Sequence, residues 1–582
     1  MLINDSVNRL NFNPKQPLIL DLFFFSFVSI LWFFLVFDTF SYLNPHETQW
    51  FGVDNTTSYI AQLTYVSSNW TFPLLRNPEY GGPLSTSLTF TGPSPIIGLT
   101  MKFLGLNAEI QLFGLWILLN FFLQLIFASK LLRLMGITAN FARLFSVFFL
   151  STFLILKSQG HFWLISHYLI LWSLYLLILY LKENTFKTLE FGILLCLSYL
   201  TNIYLLAMVV LIMLLIFTIR LLTYRESTKL VLADFSRLFA LLFVVFITLD
   251  GIVLQNNLYQ TAKTFVSSTY GYHGFNVLTF LNPNTGFLVE GASSSDPEII
   301  SDFSMLPFSL GMISGAYEGF MYLGLGVILG LLFLVFMQYE KPLIPGLNLN
   351  VKQKKAIIIF SVLVTTFAIS YRIGIGSVEI ELPFPRTLDH VLGIFRSSGR
   401  FMWPFAYFLI SLSVLAFYRW YSSRALSLLT VVVTTGILAL QVLDISIPLI
   451  KQERKVLYTT SENNFEVTEL KEASKLLGKY REIRAYPQGD FLENHYAELN
   501  YLAWKLGIPT DLHFTSKVNM SAMLEREQET LLQLCEGNLD PSTIYAVTNT
   551  RLQEISKCKN SPYPVLLGEH HTYFVVPSLP EN

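Results

Sequence analysis

Charge is scarce in this sequence. Asp, Glu, Lys and Arg make up 14% of its 582 residues, against about 25% in an average soluble protein. With 53% hydrophobic and 15% aromatic residues, a water-soluble globule could not cover its own surface, whereas a lipid-facing protein need not. The net charge is -1, and there is no basic stripe, zinc-ligand spacing or recognition-helix motif, so nucleic acid is not expected as a partner. Cysteine is scarcer still. Of the three, Cys196 falls in an apolar run, where a thiol is ordinarily inert packing. Cys535 and Cys558 lie in the polar C-terminal stretch. In an oxidising compartment they are expected to pair, the alternative being two free buried thiols, and neither suits a metal site. A cleavable leader is not expected either. The first apolar run, 17–40, is too long for one and has no small-residue cleavage site, so it reads as a retained helix.

What the sequence has is apolar length. A spanning helix needs roughly 20 apolar residues, and about eleven candidates occur, at 17–40, 110–132, 141–156, 162–181, 186–199, 204–222, 238–254, 317–337, 356–371, 401–418 and 425–443. The fold class expected is mainly α, a polytopic transmembrane helical bundle with a C-terminal extracytoplasmic α/β domain. Orientation follows from Lys and Arg. With the N-terminus inside, the short inner segments carry about twice as many of them as the much longer outer loops. The alternation holds at every turn, and it favours two spans rather than one long helix across 186–222. Three long loops then lie outside, 41–109, 255–316 and 372–400. Aromatic loops this long are seldom mere connectors, so function is expected on that face.

Residues 1–450 therefore read as the transmembrane part and 451–582 as a soluble domain. In the latter, strand-like runs at 482–486, 544–547 and 573–576 alternate with helical ones at 494–506 and 520–534.

The first outer loop carries Asp54, followed by a stretch, 59–70, that reads as an amphipathic helix lying at the interface with Trp50 and Trp70 as anchors. A carboxylate there suits a general base or a ligand for a divalent metal such as Mg or Mn; alternatively Asp54 only caps the helix that follows. Ionisable residues in spans are costly and mark functional sites by default. Glu318, beside Tyr317, begins one span and Asp250 nears the outer end of another, both close enough to the boundary for water to reach. Asp21, Glu190 and Asp444, at span ends, are expected to face headgroups. His161 and His167 are six apart and do not suit a shared metal; His161 at the outer edge can donate to a phosphate, while His167 reads as a satisfied interhelical histidine. The densest polar cluster runs from Asp389-His390 to Phe395-Arg396-Ser397-Ser398-Gly399-Arg400-Phe401. Arg396 and Arg400 are four apart and share a face if the helix begins early. Guanidinium groups bind phosphate through paired hydrogen bonds, though arginines at span ends also anchor lipid headgroups.

Several strings together carry a resemblance. They are Gly52/Asp54, Trp70-Thr71-Phe72-Pro73-Leu74, Asn77-Pro78-Glu79-Tyr80-Gly81, Thr91-Gly92-Pro93-Ser94-Pro95, the run from Gly160-His161 to Trp172, Tyr317-Glu318-Gly319-Phe320-Met321-Tyr322-Leu323-Gly324 and Phe395 to Phe401. Over nearly the whole chain they resemble a bacterial inner-membrane family that is itself similar to the GT-C glycosyltransferases. Likeness to protein O-mannosyltransferases and aminoarabinose transferases is looser and rests on topology and the acidic residue of the first outer loop. The resemblance implies a polyprenyl-phosphate-linked sugar as donor, a glycan, lipid or protein acceptor, and transfer on the outer side of a bacterial inner membrane. Asp54 maps onto the acidic residue that serves as base or metal ligand. No adjacent acidic pair of the commonest GT-C pattern occurs in that loop. In this reading Arg396 and Arg400 neutralise the leaving phosphate, and Glu318, Tyr317 and His161 orient the substrates. The competing classes are a lipid or glycan transporter or flippase, against which the lack of internal repeats and mid-membrane charge counts, and a non-catalytic envelope-assembly scaffold.

Overall fold

A computed structural model describes residues 16–48, 50–51, 53–82, 86–223, 228–251, 270–284, 303–306, 310–336, 344–385, 388, 391–424, 427–451, 480–488, 496–512, 520–555, 557–558, 565–567 and 572–575. In chain order, the helices of the first half are α1 (Gln16–Phe37), α2 (Val53–Ser67), α3 (Pro95–Leu104), α4 (Phe113–Leu134), α5 (Ala139–Phe145), α6 (Thr152–Gly160), α7 (Tyr168–Glu183), α8 (Thr188–Thr201), α9 (Ile203–Thr223) and α10 (Thr228–Leu249). After the second long loop come α11 (Leu325–Phe336), α12 (Val351–Ile369), α13 (Trp403–Ser422) and α14 (Leu428–Lys451). Two-stranded ribbons interrupt the loops, β1 (Arg76–Asn77) with β2 (Thr86–Ser87) and β3 (Arg372–Ile375) with β4 (Val378–Glu381).

The fold is mainly helical. Among the described residues seven helices are long and apolar enough to cross a membrane, or eight if the bent pair Ala139–Phe149 and Thr152–Gly160 counts as one span. Their outer faces are apolar. On α1, Phe23 and Phe27 are exposed while Trp32, Phe33 and Val36 on the opposite side are buried, the pattern of a helix with lipid on one flank and protein on the other. Helices α8 and α11 are apolar but shorter, and α12 carries Lys352, Lys354 and Lys355 in its first turns. Its start is fixed by a capping box, Asn350 Oδ1 accepting from Gln353 N and Gln353 Oε1 from Asn350 N, both at 2.9 Å. The 186–222 stretch does form two helices. Asn202 between them is extended.

Two expected spans are rebuilt. The run 317–337 is not one helix. Residues Ala316–Gly319 form a 3-10 turn and helix begins only at Leu325. Gly315 and Gly324 hold left-handed φ of 84° and 86°, where any side chain is strained. At Gly324 a Cβ would lie 2.3 Å from the Gln441 amide nitrogen. The freed backbone is caught by α14. Gln441 Oε1 accepts from Val327 N at 3.0 Å, and Asp444 accepts from Leu325 N at 2.9 Å and from Tyr322 OH at 3.0 Å. Asp444 is therefore buried, not facing headgroups. Asp21 is buried too, accepting from Arg133 and Arg143 at 2.6 Å each. A charge this deep in a bundle is held only by opposite charge or donors. The other rebuilt span is 141–156, which breaks at Leu150–Ser151 and turns by 51° into α6.

The C-terminal part contains α15 (Tyr496–Leu506), α16 (Met520–Glu536) and α17 (Asn549–Ile555) with a four-stranded sheet of order β5-β6-β8-β7. The strands are β5 (Glu482–Tyr486), β6 (Thr543–Thr548), β7 (Val565–Leu567) and β8 (Thr572–Val575). Strands β5 and β6 are parallel, joined by a crossover that holds α15 and α16, and the other pairs are antiparallel. Cys535 at the end of α16 and Cys558 after α17 form a disulfide across 23 residues. A loop of that length is worth about 3 kcal/mol in the chain-entropy account. Replacing both cysteines by Ser should lower the unfolding free energy of this part by that order, as read by chemical unfolding of the purified protein.

The C-terminal sheet sits on the first long loop. Helix α2 was expected to lie at a lipid interface. Instead it is buried from Asn55 through Tyr65. Tyr59 and Leu63 pack into the bundle core. Ile60 and Ala61, on another face, join Tyr80, Ile483, Tyr496 and Leu499. Tyr80 and Tyr496 share a hydroxyl hydrogen bond, Trp504 Nε1 donates to Ser67 Oγ at 2.7 Å, and Lys505 pairs with Glu109 at 2.7 Å. Trp50 is buried and only Trp70 stays exposed. Apolar residues on several faces of one helix mean cover on several sides.

Candidate functional site

The loop that fails to become helix carries the centre of the site. Glu318, 3% exposed, accepts a short hydrogen bond from Lys157 Nζ of α6 and two from Arg400, Nη2 at 2.7 Å and Nε at 3.1 Å. Arg400 in turn lies over the Tyr204 ring of α9, 4.6 Å from its centroid. Burial pushes the Glu318 carboxyl up, but Arg400, Lys157 and His161 outweigh it and hold the carboxyl well below the usual carboxylate range. Two buried cations thus share one buried carboxylate.

Three glycines make that convergence feasible. Gly274, Gly319 and Gly399 meet backbone to backbone. A Cβ on Gly399 would come within 2.9 Å of the Gly274 carbonyl and the Gly319 Cα, and one on Gly319 within 2.9 Å of the Gly274 oxygen. Contacts that tight against main chain cannot be relieved by a rotamer change. Gly399 N also donates to the His273 oxygen at 3.0 Å. Gly399→Ala should cost about 1–3 kcal/mol and lower the thermal midpoint of the detergent-solubilised protein. An unchanged melt would show that the three segments part without penalty.

His273 is clamped over the cluster. Its Nδ1 lies 2.8 Å from the Gly315 carbonyl oxygen and its ring meets Tyr317 edge-on at 5.4 Å. Burial pulls its pKa down, Arg396 and Arg400 adding to this, while Glu318 and the Gly315 carbonyl oppose it. Tyr317 is pushed up to about 12, chiefly by burial and then by Glu318.

Of the residues singled out in the sequence, Glu318 and Arg400 are in direct contact, and Tyr317 and His161 stand beside them. Arg396 is exposed and close enough to act on His273 and Tyr317. It does not share an α-helical face with Arg400. Residues Gly393–Phe395 and Ser398–Met402 are separate 3-10 turns, and the α-helix starts at Trp403 with Pro404 in its first turn. Asp54 is the second residue of α2; its side chain, with Asp389, His390 and most of the second long loop, lies outside the described residues. Asp250 is structural, taking hydrogen bonds from Ser87, Tyr199 and Thr89, the last at 2.9 Å, which tie the first long loop to α10. His167 Nδ1 is 2.8 Å from Tyr407 OH, an interhelical contact, but its buried Nε2 has no hydrogen-bond partner among the described residues, so the histidine is only half satisfied.

Lys157, Tyr204 and His273 were not singled out. Lys157 reads as an outer-loop residue unless the bend at Leu150–Ser151 is known, and neither of the others sits at a spacing that points to a partner. A divalent metal does not suit the Glu318 cluster, because its carboxylate is engaged by two cations that would repel a third. Among the described residues no three of His, Cys, Asp or Glu gather elsewhere.

An apolar groove of about 590 Å³ runs between α9 and α12, lined by Ile203, Leu206, Val210, Leu363, Phe367 and other apolar residues. Phe395 and Phe401, the neighbours of Arg396 and Arg400, line it too, and Tyr204 contacts Phe395 edge-on at 5.4 Å.

A multi-helix bundle with lipid-type outer faces, a buried ion cluster and an apolar groove defines the class, an integral membrane protein of helical type. Within that class the chain belongs to the DUF6311 family, a domain of unknown function whose profile matches residues 26–446. The DUF6311 C-terminal domain matches residues 472–578. No curated protein matches the chain.

Proposed function

We propose that the protein is a membrane glycosyltransferase. It moves a sugar from a polyprenyl-phosphate donor to a cell-surface acceptor on the outer side of a bacterial inner membrane. The eleven-span topology, with the N-terminus cytoplasmic and the C-terminal domain periplasmic, belongs to the same proposal. One observation carries it: a cation-rich site, with Lys157 and Arg400 sharing Glu318 and Arg396 exposed beside them, adjoins an apolar groove through Phe395 and Phe401, the chain neighbours of the two arginines. An amphiphile with a phosphate head and a long hydrocarbon tail is complementary to both parts.

In this mechanism the acceptor hydroxyl attacks the anomeric carbon. The new carbon–oxygen bond forms as the bond from that carbon to the phosphate oxygen breaks, and the electron pair leaves with the polyprenyl phosphate. Asp54 takes the hydroxyl proton. Arg396 and Arg400 stabilise the phosphate as its charge grows. Glu318 holds Arg400 and Lys157 in place, while His161 and Tyr317 orient the substrates.

The test is transfer by the reconstituted protein in vesicles supplied with polyprenyl-phosphate sugars, alongside glycan analysis of cells lacking the gene. A missing surface sugar and transfer in vitro support the reading; intact glycans with no transfer reject it. Arg396→Ala removes an exposed charge-assisted contact worth about 1.4 kcal/mol, so the KM for donor should rise about tenfold.

A further inference from the structure

The hydrogen bond to Gly315 fixes more than the orientation of His273. A carbonyl oxygen only accepts, so Nδ1 carries the proton in the neutral ring and Nε2 is left with a bare lone pair. His273 is 5% exposed, so the ring lies within the protein beside the ion cluster and reaches bulk water only at its edge. The groups around the His273 side chain are Glu318 and Tyr317 from the 315–319 turn, Arg396 and Arg400 from the 393–402 segment, and Tyr272 from its own strand of chain, itself under Arg372 at 5.4 Å. Two cations against one carboxylate favour a neutral imidazole when no anion is present. A phosphate seated among Arg396, Arg400 and Lys157 reverses that balance, because it adds negative charge beside a lone pair that has no donor.

We infer that His273 is a proton-coupled phosphate ligand, neutral in the empty protein and converted to an imidazolium, donating from Nε2, when a phosphate-bearing lipid binds. The inference rests on the proposed donor site, and it names a residue and a proton that site does not require. The balance is simple: one proton moves from solvent to Nε2, and no covalent bond changes. The sign follows from linkage. Burial and the two arginines hold the empty-state pKa low, and the bound phosphate raises it. Affinity therefore increases as pH falls through the bound-state pKa and levels off below the empty-state one.

The experiment uses the full-length protein in detergent micelles and farnesyl phosphate as probe, with farnesol as the uncharged control. His273→Asn keeps a side-chain N–H in place of Nδ1 for the Gly315 carbonyl and removes titration. Calorimetry in two buffers of different ionisation enthalpy near pH 7 should give about one more proton taken up by wild type than by His273→Asn. From about pH 8 to about pH 6 the ratio of wild-type to variant affinity should rise by up to about tenfold per unit, the limit for a single proton. Taking the ratio cancels the ionisation of the phosphate itself. In wild-type protein labelled at histidine, the His273 ring signal should move to the imidazolium position on binding, a measurement that needs no variant. Farnesyl phosphate bound with equal proton uptake by both proteins, and an unmoved ring signal, would overturn this inference and leave the donor site standing. Failure of the wild-type protein to bind farnesyl phosphate better than farnesol would overturn both. The extra proton appearing with inorganic phosphate alone supports the inference with the free anion as sufficient ligand; its appearance only with farnesyl phosphate supports it with the lipid as ligand.

Discussion

Glu318→Gln is expected to cost about 3–5 kcal/mol, enough to deplete the folded protein in membranes, because it takes the charge from a buried carboxylate that two buried cations share. Lys157 and Arg400 both donate to this one carboxylate, and all three residues are buried. The amide has the same shape but no charge, and only one of its two terminal atoms accepts. The two cations would then face each other without the negative charge between them. The measurement is the thermal midpoint and the folded yield after solubilisation. Lys157→Met combined with Glu318→Gln should recover part of the loss, since removing both members of a buried pair costs less than removing one. A single variant that melts like wild type would mean that the cluster is held by something other than its charge. The sign of the pH dependence is fixed as well. The folded-state pKa of Glu318 lies well below its ordinary value. Its contribution is therefore fully present above the unfolded pKa of about 4.3 and is lost only as pH falls through the lower folded value. The cluster should survive mildly acidic conditions.

Asp54→Asn should abolish transfer, by about 10²- to 10⁴-fold in kcat if the residue is the general base, while leaving the protein inserted and folded. The fold supports that separation of effects. Helix α2 is clamped by the bundle through Tyr59 and Leu63 and by the C-terminal domain through Ile60 and Ala61. A like-sized replacement at its first turn therefore does not decide whether the helix forms. The check is a transfer assay with donor in excess, run beside a melt. Full activity in Asp54→Asn would remove the residue from the chemistry; lost activity with a lowered melt would point to capping instead.

The sequence made the helical bundle legible because twenty-residue apolar runs have few other uses. The pairing of Cys535 with Cys558 was readable because only two thiols occur in the tail. Glu318 and Arg400 stood out as ionisable groups at helix ends, but nothing in their spacing announced contact, for they are 82 residues apart. Lys157 was hidden for a different reason. The bend before α6 falls at Leu150–Ser151, with neither proline nor glycine to mark it. Glycines did mark the other break, at Gly315 and Gly324, yet an apolar run containing glycine looks the same whether it continues as helix or unwinds. Burial of α2 was equally unreadable, since its apolar faces serve a domain encoded at the far end of the chain.

That last contact has a consequence for how the protein is made. Tyr80 waits for Tyr496, a partner synthesised 416 residues later. Until the C-terminal sheet has been made, Ile60 and Ala61 lack the part of their cover that Ile483, Tyr496 and Leu499 supply. Maturation of the first long loop is thereby coupled to synthesis of the C-terminal sheet, and in a nascent chain that face of α2 stays open until the sheet has folded against it.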